Sequence, residues 1–370
     1  MPKVAPNLTT PALRATPPQE EGTAAIRKGE KTMTQNIDRR TLLKQASALV
    51  AGAAAGVGTL QAQGRGGAPA AQPPQTTPAV PQPQKEGDAA YLLPGFKVSK
   101  VQTTGALIHV VSGGQGPPLL LIHGAPHTHL SWRLVAPELA KNFTVIAPDL
   151  RGYGDSSKPA DGTNHVNYSK RSMALDQVEV MKHFGFDRFA VAGHDRGGRV
   201  AHRLALDHPD KVTRVAVLDI VPTYYLYTHI TMDFVRGYPH WFLFIQNAPI
   251  PENAIARGDY AGIGGGTGEV GAEYKRVYSD PAAIHGMCED YRAASTIDMT
   301  HDAADIDKKV TCPLLTLWAN PGAMDSLYKV LDVWKERGTN VSGKGMTGGH
   351  TLQEGNPTQV LAEFQAFFKG

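Results

Sequence analysis

Cysteine is nearly absent. Cys288 and Cys312 are the two in a chain of 370 residues, and no CxxC pair or His-rich ligand spacing accompanies them. This argues against a disulfide-built scaffold and against a zinc-type centre. No metal and no cofactor is expected, and the two thiols read as buried and free rather than paired. A dominant charge is also missing. Lysine plus arginine number 37 against 34 acidic residues, a formal net charge of +3, and the cations form no stripe. Nucleic acid is therefore not an expected partner. The uncharged stretch 45–64 is built mainly of alanine and glycine, too weakly apolar for a stable membrane span.

Periodicity is absent from the first 90 residues. Residues 1–32 are rich in Pro, Thr and Ala, and Met33 is a candidate start. Asp38-Arg39-Arg40-Thr41-Leu42-Leu43-Lys44 then precedes the uncharged run. A charged segment before a weakly apolar one reads as a secretory signal. The adjacent arginines resemble a twin-arginine export signal, with cleavage near Ala62 and a periplasmic destination. Membrane contact would then be confined to export. The expected organisation is an extension over 1–64, a Pro-rich linker over 65–90, and a folded region from residue 91. The 280 residues left after the first 90 suffice for one large core with a small cap.

What the chain does have is a strand–turn–helix unit. Phe189-Ala190-Val191-Ala192 is an apolar run that stops at Gly193, and Val200, Ala201, Leu204 and Ala205 mark one face of a following helix. Between them stands Gly193-His194-Asp195-Arg196-Gly197. This is the setting of the nucleophile elbow G-x-S-x-G, with aspartate in the serine position. Such a tight turn leaves no room for side chains at 193 and 197. An aspartate is already ionised at neutral pH. It can displace a leaving group from saturated carbon, form an ester with the protein, and be regenerated by water.

Around this unit, strands are expected within 96–111, as a pair turning at Gly105, and at 119–122, 143–147, 215–218 and 314–318. Helices are expected near 169–184 and at the C-terminus. Alternating strands and helices imply a mostly parallel sheet covered on both faces; with the elbow motif, the pattern resembles the α/β-hydrolase fold class. The core is assigned to 91–221 and 306–370. Residues 222–305, rich in Tyr, Trp, Phe, Pro and Gly, break the rhythm and read as a mainly helical cap over the sheet's C-terminal edge.

The order nucleophile, acid, histidine belongs to this fold. His350, in Gly348-Gly349-His350-Thr351 before the last helix, is the expected base. Its acid partner is Asp219, which ends the strand after the elbow, or Asp325; Asp219 is preferred for its place at the sheet edge. The loop His123-Gly124-Ala125-Pro126 should contribute the Ala125 N–H to an oxyanion hole, and Arg196 the other N–H. Arg196 and Arg199 lie three apart at a helix start, a place that disfavours cations, which points to a bound substrate carboxylate.

Gly193-His194-Asp195-Arg196-Gly197-Gly198-Arg199, Val217-Leu218-Asp219-Ile220-Val221-Pro222-Thr223-Tyr224, His240-Trp241 and Met287-Cys288-Glu289-Asp290-Tyr291-Arg292 together resemble the fluoroacetate (haloacetate) dehalogenases. The resemblance runs from about residue 92 to the C-terminus. It implies that Asp195 is nucleophile, His350 base and Asp219 its acid. It also implies that Arg196 and Arg199 hold the carboxylate, and that His240, Trp241 and Tyr291 cradle the departing halide. The implied partners are a small halo acid and water; a homodimer is compatible with the sequence. Two positions depart from the family: Ala125 stands where phenylalanine is usual, and His127 where glutamine is usual. Ala125 should enlarge the pocket. Two other functions compete. An epoxide hydrolase would share the Asp nucleophile and need cap tyrosines such as Tyr291 and Tyr224 or Tyr225. A non-catalytic ligand-binding protein of this fold would need no base.

Overall fold

The computed structural model describes residues 93–260, 262–264 and 266–369. The signal and linker expectations fall outside the described residues. An eight-stranded sheet has the order β1-β2-β4-β3-β5-β6-β7-β8. The hairpin β1 (Lys97–Gln102) and β2 (Leu107–Gly113) is antiparallel, and β2 also runs antiparallel to β4 (Thr144–Pro148). From β4 onward, β3 (Pro118–Ile122), β5 (Phe189–His194), β6 (Val212–Leu218), β7 (Leu314–Ala319) and β8 (Val341–Met346) pair in parallel.

Parallel strands covered on both faces must bury consecutive residues. In β3, Leu120 and Ile122 join one core layer, while Leu119 and Leu121 join the other. On the second face, beyond a one-turn helix α1 (Ala136–Leu139), sits α14 (Pro357–Lys369), which brings Phe364 and Phe368. On the first face, α2 (Lys170–His183) supplies Met173, Ala174, Val180 and Met181, and α3 (Asp195–Asp207) supplies Val200, Ala201 and Leu204.

Between β6 and β7 the chain forms α4 (Thr223–Thr228), α5 (Met232–Gly237), α6 (Pro239–Phe244), α7 (Ile250–Ala256), α8 (Gly268–Tyr278), α9 (Pro281–Ser295) and α10 (Ile297–Ala304). Phe234, Trp241, Phe244, Met287 and Tyr291 of this insertion belong to the same apolar cluster as the first sheet face. Insertion and sheet therefore share one buried core. After β7 come α11 (Ala323–Leu327), α12 (Val330–Lys335) and, beyond β8, α13 (Leu352–Gly355). Cys288 and Cys312 are both free thiols, the first buried and the second partly so.

Candidate active site

The elbow is built by close backbone contact. A Cβ on Gly193 would lie 2.3 Å from the Gly197 carbonyl oxygen, and one on Gly197 would lie 2.3 Å from that of His123. Both positions therefore require glycine. Between them Asp195 takes φ 46°, a left-handed conformation that L-residues rarely hold without support from their surroundings. The surroundings supply it: the Ala125 N–H donates to Asp195 Oδ2 at 3.1 Å. Asp195 also opens α3, where a negative charge is favoured by the helix dipole. Burial alone would raise its pKa, but the charges of His350, first, and of Arg196 and Arg199 outweigh burial and lower it to about 2. Asp195 is therefore an anion at neutral pH.

His350 and Asp219 meet across the sheet edge, with Nδ1 of the imidazole 2.6 Å from Oδ2. Asp219 Oδ1 accepts from the Ala319 N–H at 2.9 Å, which fixes the carboxylate at φ 53° at the end of β6. Burial pulls the His350 pKa down, but the Asp219 hydrogen bond and the charges of Asp195 and Asp219 outweigh it, leaving the value raised. Asp325 is occupied elsewhere: it accepts from Trp318 Nε1 at 2.8 Å and Asn320 Nδ2 at 3.1 Å.

A cavity of about 210 Å³ opens beside these groups. Asp195, Asp219, His350, Arg199, His240, Trp241, Tyr291 and Ala125 all line it. His240 and Trp241 come from α6, and Tyr291 from α9. Burial, ahead of the neighbouring charges, lowers the His240 pKa to about 4, so the ring is neutral and keeps one N–H. Burial likewise pushes the Tyr291 hydroxyl well up, so it stays protonated. Arg199 is buried, with Nη1 donating to the Val221 carbonyl at 3.0 Å and its guanidinium 4.9 Å from the Trp241 ring centre. Its Nε is buried with no partner among the described residues.

The two arginines that look alike in sequence part company here. Arg196 does not line the cavity. Its Nε and Nη2 grip the Asp290 carboxylate at 3.0 and 2.7 Å, and Nη2 also reaches the Asp290 carbonyl. Nη1 alone is left without a partner among the described residues, and the guanidinium stacks 4.2 Å from the Tyr291 ring centre. Asp290 also receives Lys170 Nζ and the Tyr153 hydroxyl. The direct structural role of Arg196 is thus to hold α9, and Tyr291 with it, against the elbow helix. Spacing on α3 could not reveal this, because the partner lies 94 residues away. Replacing Asp290 by asparagine would leave two buried cations short of an anion. A loss of about 3–5 kcal/mol is expected, read by urea or thermal unfolding; a change below about 1 kcal/mol would contradict this role.

Two further groups carried no expected role. His127 lines the cavity, and burial together with His350 lowers its pKa to about 4. His194, inside the elbow, hydrogen-bonds the His350 carbonyl at 2.9 Å. Away from the cavity, the fold gathers His109, His129 and Asp149, with one ligand-type atom of each within 4.8 Å of the others, a cluster that sequence spacing does not announce. There His129 Nδ1 lies 2.8 Å from Asp149 Oδ1. Of the tyrosines named above for an epoxide, Tyr291 lines the cavity and Tyr224 and Tyr225 do not, while Tyr238 and Tyr260 of the insertion also line it.

A family model described as the alpha/beta hydrolase fold matches residues 117–254. The chain is 44% identical over 285 residues to a fluoroacetate dehalogenase from a Burkholderia species, covering 73% of this chain and 94% of that one. The chain belongs to the α/β-hydrolase family. This hydrolase is also 35% identical to a soluble epoxide hydrolase of Corynebacterium sp. (strain C12), over 71% of its own length and 94% of the relative's. Among solved structures, the α/β-hydrolase ALR0039 from Nostoc sp PCC 7120 superimposes with a TM-score of 0.71 at 47% identity, covering 74% of this chain and 98% of that one.

Proposed function

We propose that this hydrolase removes the halogen from small 2-halo carboxylates, fluoroacetate and its congeners, giving the 2-hydroxy acid through an ester on Asp195. The observation that carries the reading is an ionised carboxylate at the elbow facing the same cavity as a buried arginine with an uncommitted Nε. Arg199 binds the substrate carboxylate. Asp195 Oδ2 is engaged by the Ala125 N–H, so Oδ1 attacks C2 as the C–halogen electron pair leaves with the halide. His240, Trp241 and Tyr291 offer N–H and O–H donors where that charge develops, which matters most for fluoride, a strongly hydrated and poor leaving group. His350 then takes a proton from water, which attacks Asp195 Cγ. The Ala125 N–H stabilises the resulting oxyanion, and Asp219 holds the imidazole in the needed tautomer. A neutral epoxide would leave Arg199 without a role, and a pure binder would have no use for the His350–Asp219 pair. Halide-release assays with fluoroacetate, chloroacetate and styrene oxide test the reading; turnover of the epoxide alone would replace it.

The two half-reactions should separate by pH. Ester formation needs ionised Asp195, which persists down to about pH 2. Ester hydrolysis needs neutral His350. The Asp219 hydrogen bond favours the protonated ring, so the neutral form is lost as pH falls through the His350 pKa, while the Asp195 charge that also raises that pKa in the free enzyme is absent from the ester. In mildly acidic buffer a single halide burst should survive while steady turnover declines. Parallel decline of both in stopped-flow and steady-state assays would contradict this division of labour.

We also propose export by the twin-arginine route, supported by Arg39-Arg40 ahead of the weakly apolar run. Lysine at both positions should hold the protein in the cytoplasm; unchanged periplasmic delivery would remove the proposal.

A further inference from the structure

The general base follows two glycines, Gly348 and Gly349, at φ 137° and 73°. Gly348 packs its backbone against Gly355 and Asn356, where a Cβ at 348 would lie 2.9 Å from the Asn356 Cβ, whereas among the described residues nothing lies within 4 Å of a Cβ built on Gly349. With no side chain at 349, polar tethers help to fix the loop and the residue that follows. Asn356 Nδ2 holds the near end, donating to the Thr347 carbonyl at 3.1 Å and its hydroxyl at 3.0 Å. At the base itself Asp219 holds the ring at 2.6 Å, and the backbone is tethered by His194 Nε2, 2.9 Å from the His350 carbonyl oxygen.

His194 is built for one tautomer. A carbonyl only accepts, so the proton must sit on Nε2. Nδ1 is then a bare lone pair; it is buried without a partner among the described residues, and a Cβ on Gly124 would lie 2.9 Å from it. The ring is wholly buried, 4.8 Å from that of His350. Burial, followed by the charge of His350, pushes its pKa well down, so it remains neutral when His350 takes its proton. His194 directly precedes the nucleophile on β5.

We propose that His194 is a positioning residue for the second half-reaction, fixing the base to the nucleophile strand so that His350 meets the water attacking the Asp195 ester. The proposal rests on the two-step reaction described above. It makes a kinetic demand that general destabilisation does not. His350 acts only after halide has left, so loss of the tether should slow ester hydrolysis and spare ester formation.

The test is His194→Phe, which keeps a ring and removes the donor, beside His194→Gln, which restores an N–H donor. In His194→Phe, kcat for chloroacetate should fall about 10–100-fold, the scale of a small misplacement of a catalytic group. KM should fall in parallel and kcat/KM stay within about 3-fold, because kcat/KM reports steps through ester formation. One halide per active site should still appear at the wild-type rate, with alkylated Asp195 accumulating by mass spectrometry. His194→Gln should recover part of kcat. Amide hydrogen exchange across residues 347–351 of the ligand-free protein should accelerate in His194→Phe, whatever the reaction proves to be. Unchanged exchange overturns the tether even if the wild-type protein releases no halide, which would overturn the reaction itself. A fall in kcat/KM equal to that in kcat, or failure of both variants to fold, assigns His194 to the elbow's general structure and overturns the proposal.

Discussion

Alanine at position 350 is expected to stop the protein after one halide. Asp195 does not need a base to attack, since a carboxylate is ionised at neutral pH and, with His350 gone, Arg196 and Arg199 still favour the anion. The first half-reaction in His350→Ala should therefore run at close to its normal rate. The second needs a base within reach of water, and the ring that Asp219 orients at 2.6 Å is gone. General-base catalysis contributes roughly 10²–10⁴-fold, so steady turnover should fall by about that factor. The intact mass should rise by the substrate's carboxymethyl group, located at Asp195 by peptide mapping. Asp219→Asn should act in the same direction more weakly, because the base would remain but lose its orienting acceptor. Steady multi-turnover release by His350→Ala, or no burst at all, would contradict the assignment.

The second large effect concerns Arg199. A hydrogen bond between charged partners contributes about 1.5–3 kcal/mol, equal to roughly 10–150-fold in kcat/KM. Arg199→Ala should lose at least this on chloroacetate and little on chloroacetamide, which has no negative charge to hold. The ratio between the two substrates is the decisive quantity. Equal losses would make Arg199 a structural residue, in keeping with its bonds to Val221 and Thr223, and would sink the carboxylate reading. Arg196→Ala should behave differently from its neighbour. Its guanidinium is spent on Asp290, so its removal should lower stability as well as activity and spare no substrate.

The contrast between these arginines shows where sequence reasoning reached its limit. The elbow was legible because its chemistry is local: two glycines, one acidic residue, and an apolar strand and helix on either side. Apolar runs such as residues 119–122 were legible as buried strands because burial on both faces removes the alternation. The edge strand β8 was not, since Val341-Ser342-Gly343-Lys344-Gly345-Met346 offers no apolar run; its place is set by close approach, a Cβ on Gly343 lying 2.2 Å from the Thr316 carbonyl oxygen. The acid stood between Asp219 and Asp325 until the fold brought one of them to His350. Arg196 and Arg199 share a helix face, yet α9 supplies Asp290 to one and not to the other. His194 carried no signal at all, because its partner is a backbone carbonyl 156 residues away.

The central claim is that the oxygen transferred to the substrate comes from the protein. A single turnover in ¹⁸O-water, with enzyme in excess over chloroacetate, tests it directly. Water attacks Asp195 Cγ in this account, so the label should appear in the Asp195 carboxylate and the glycolate formed should be unlabelled. Label entering glycolate in that first turnover, with Asp195 unlabelled, would mean that water attacks the carbon itself and that Asp195 is a base rather than the nucleophile.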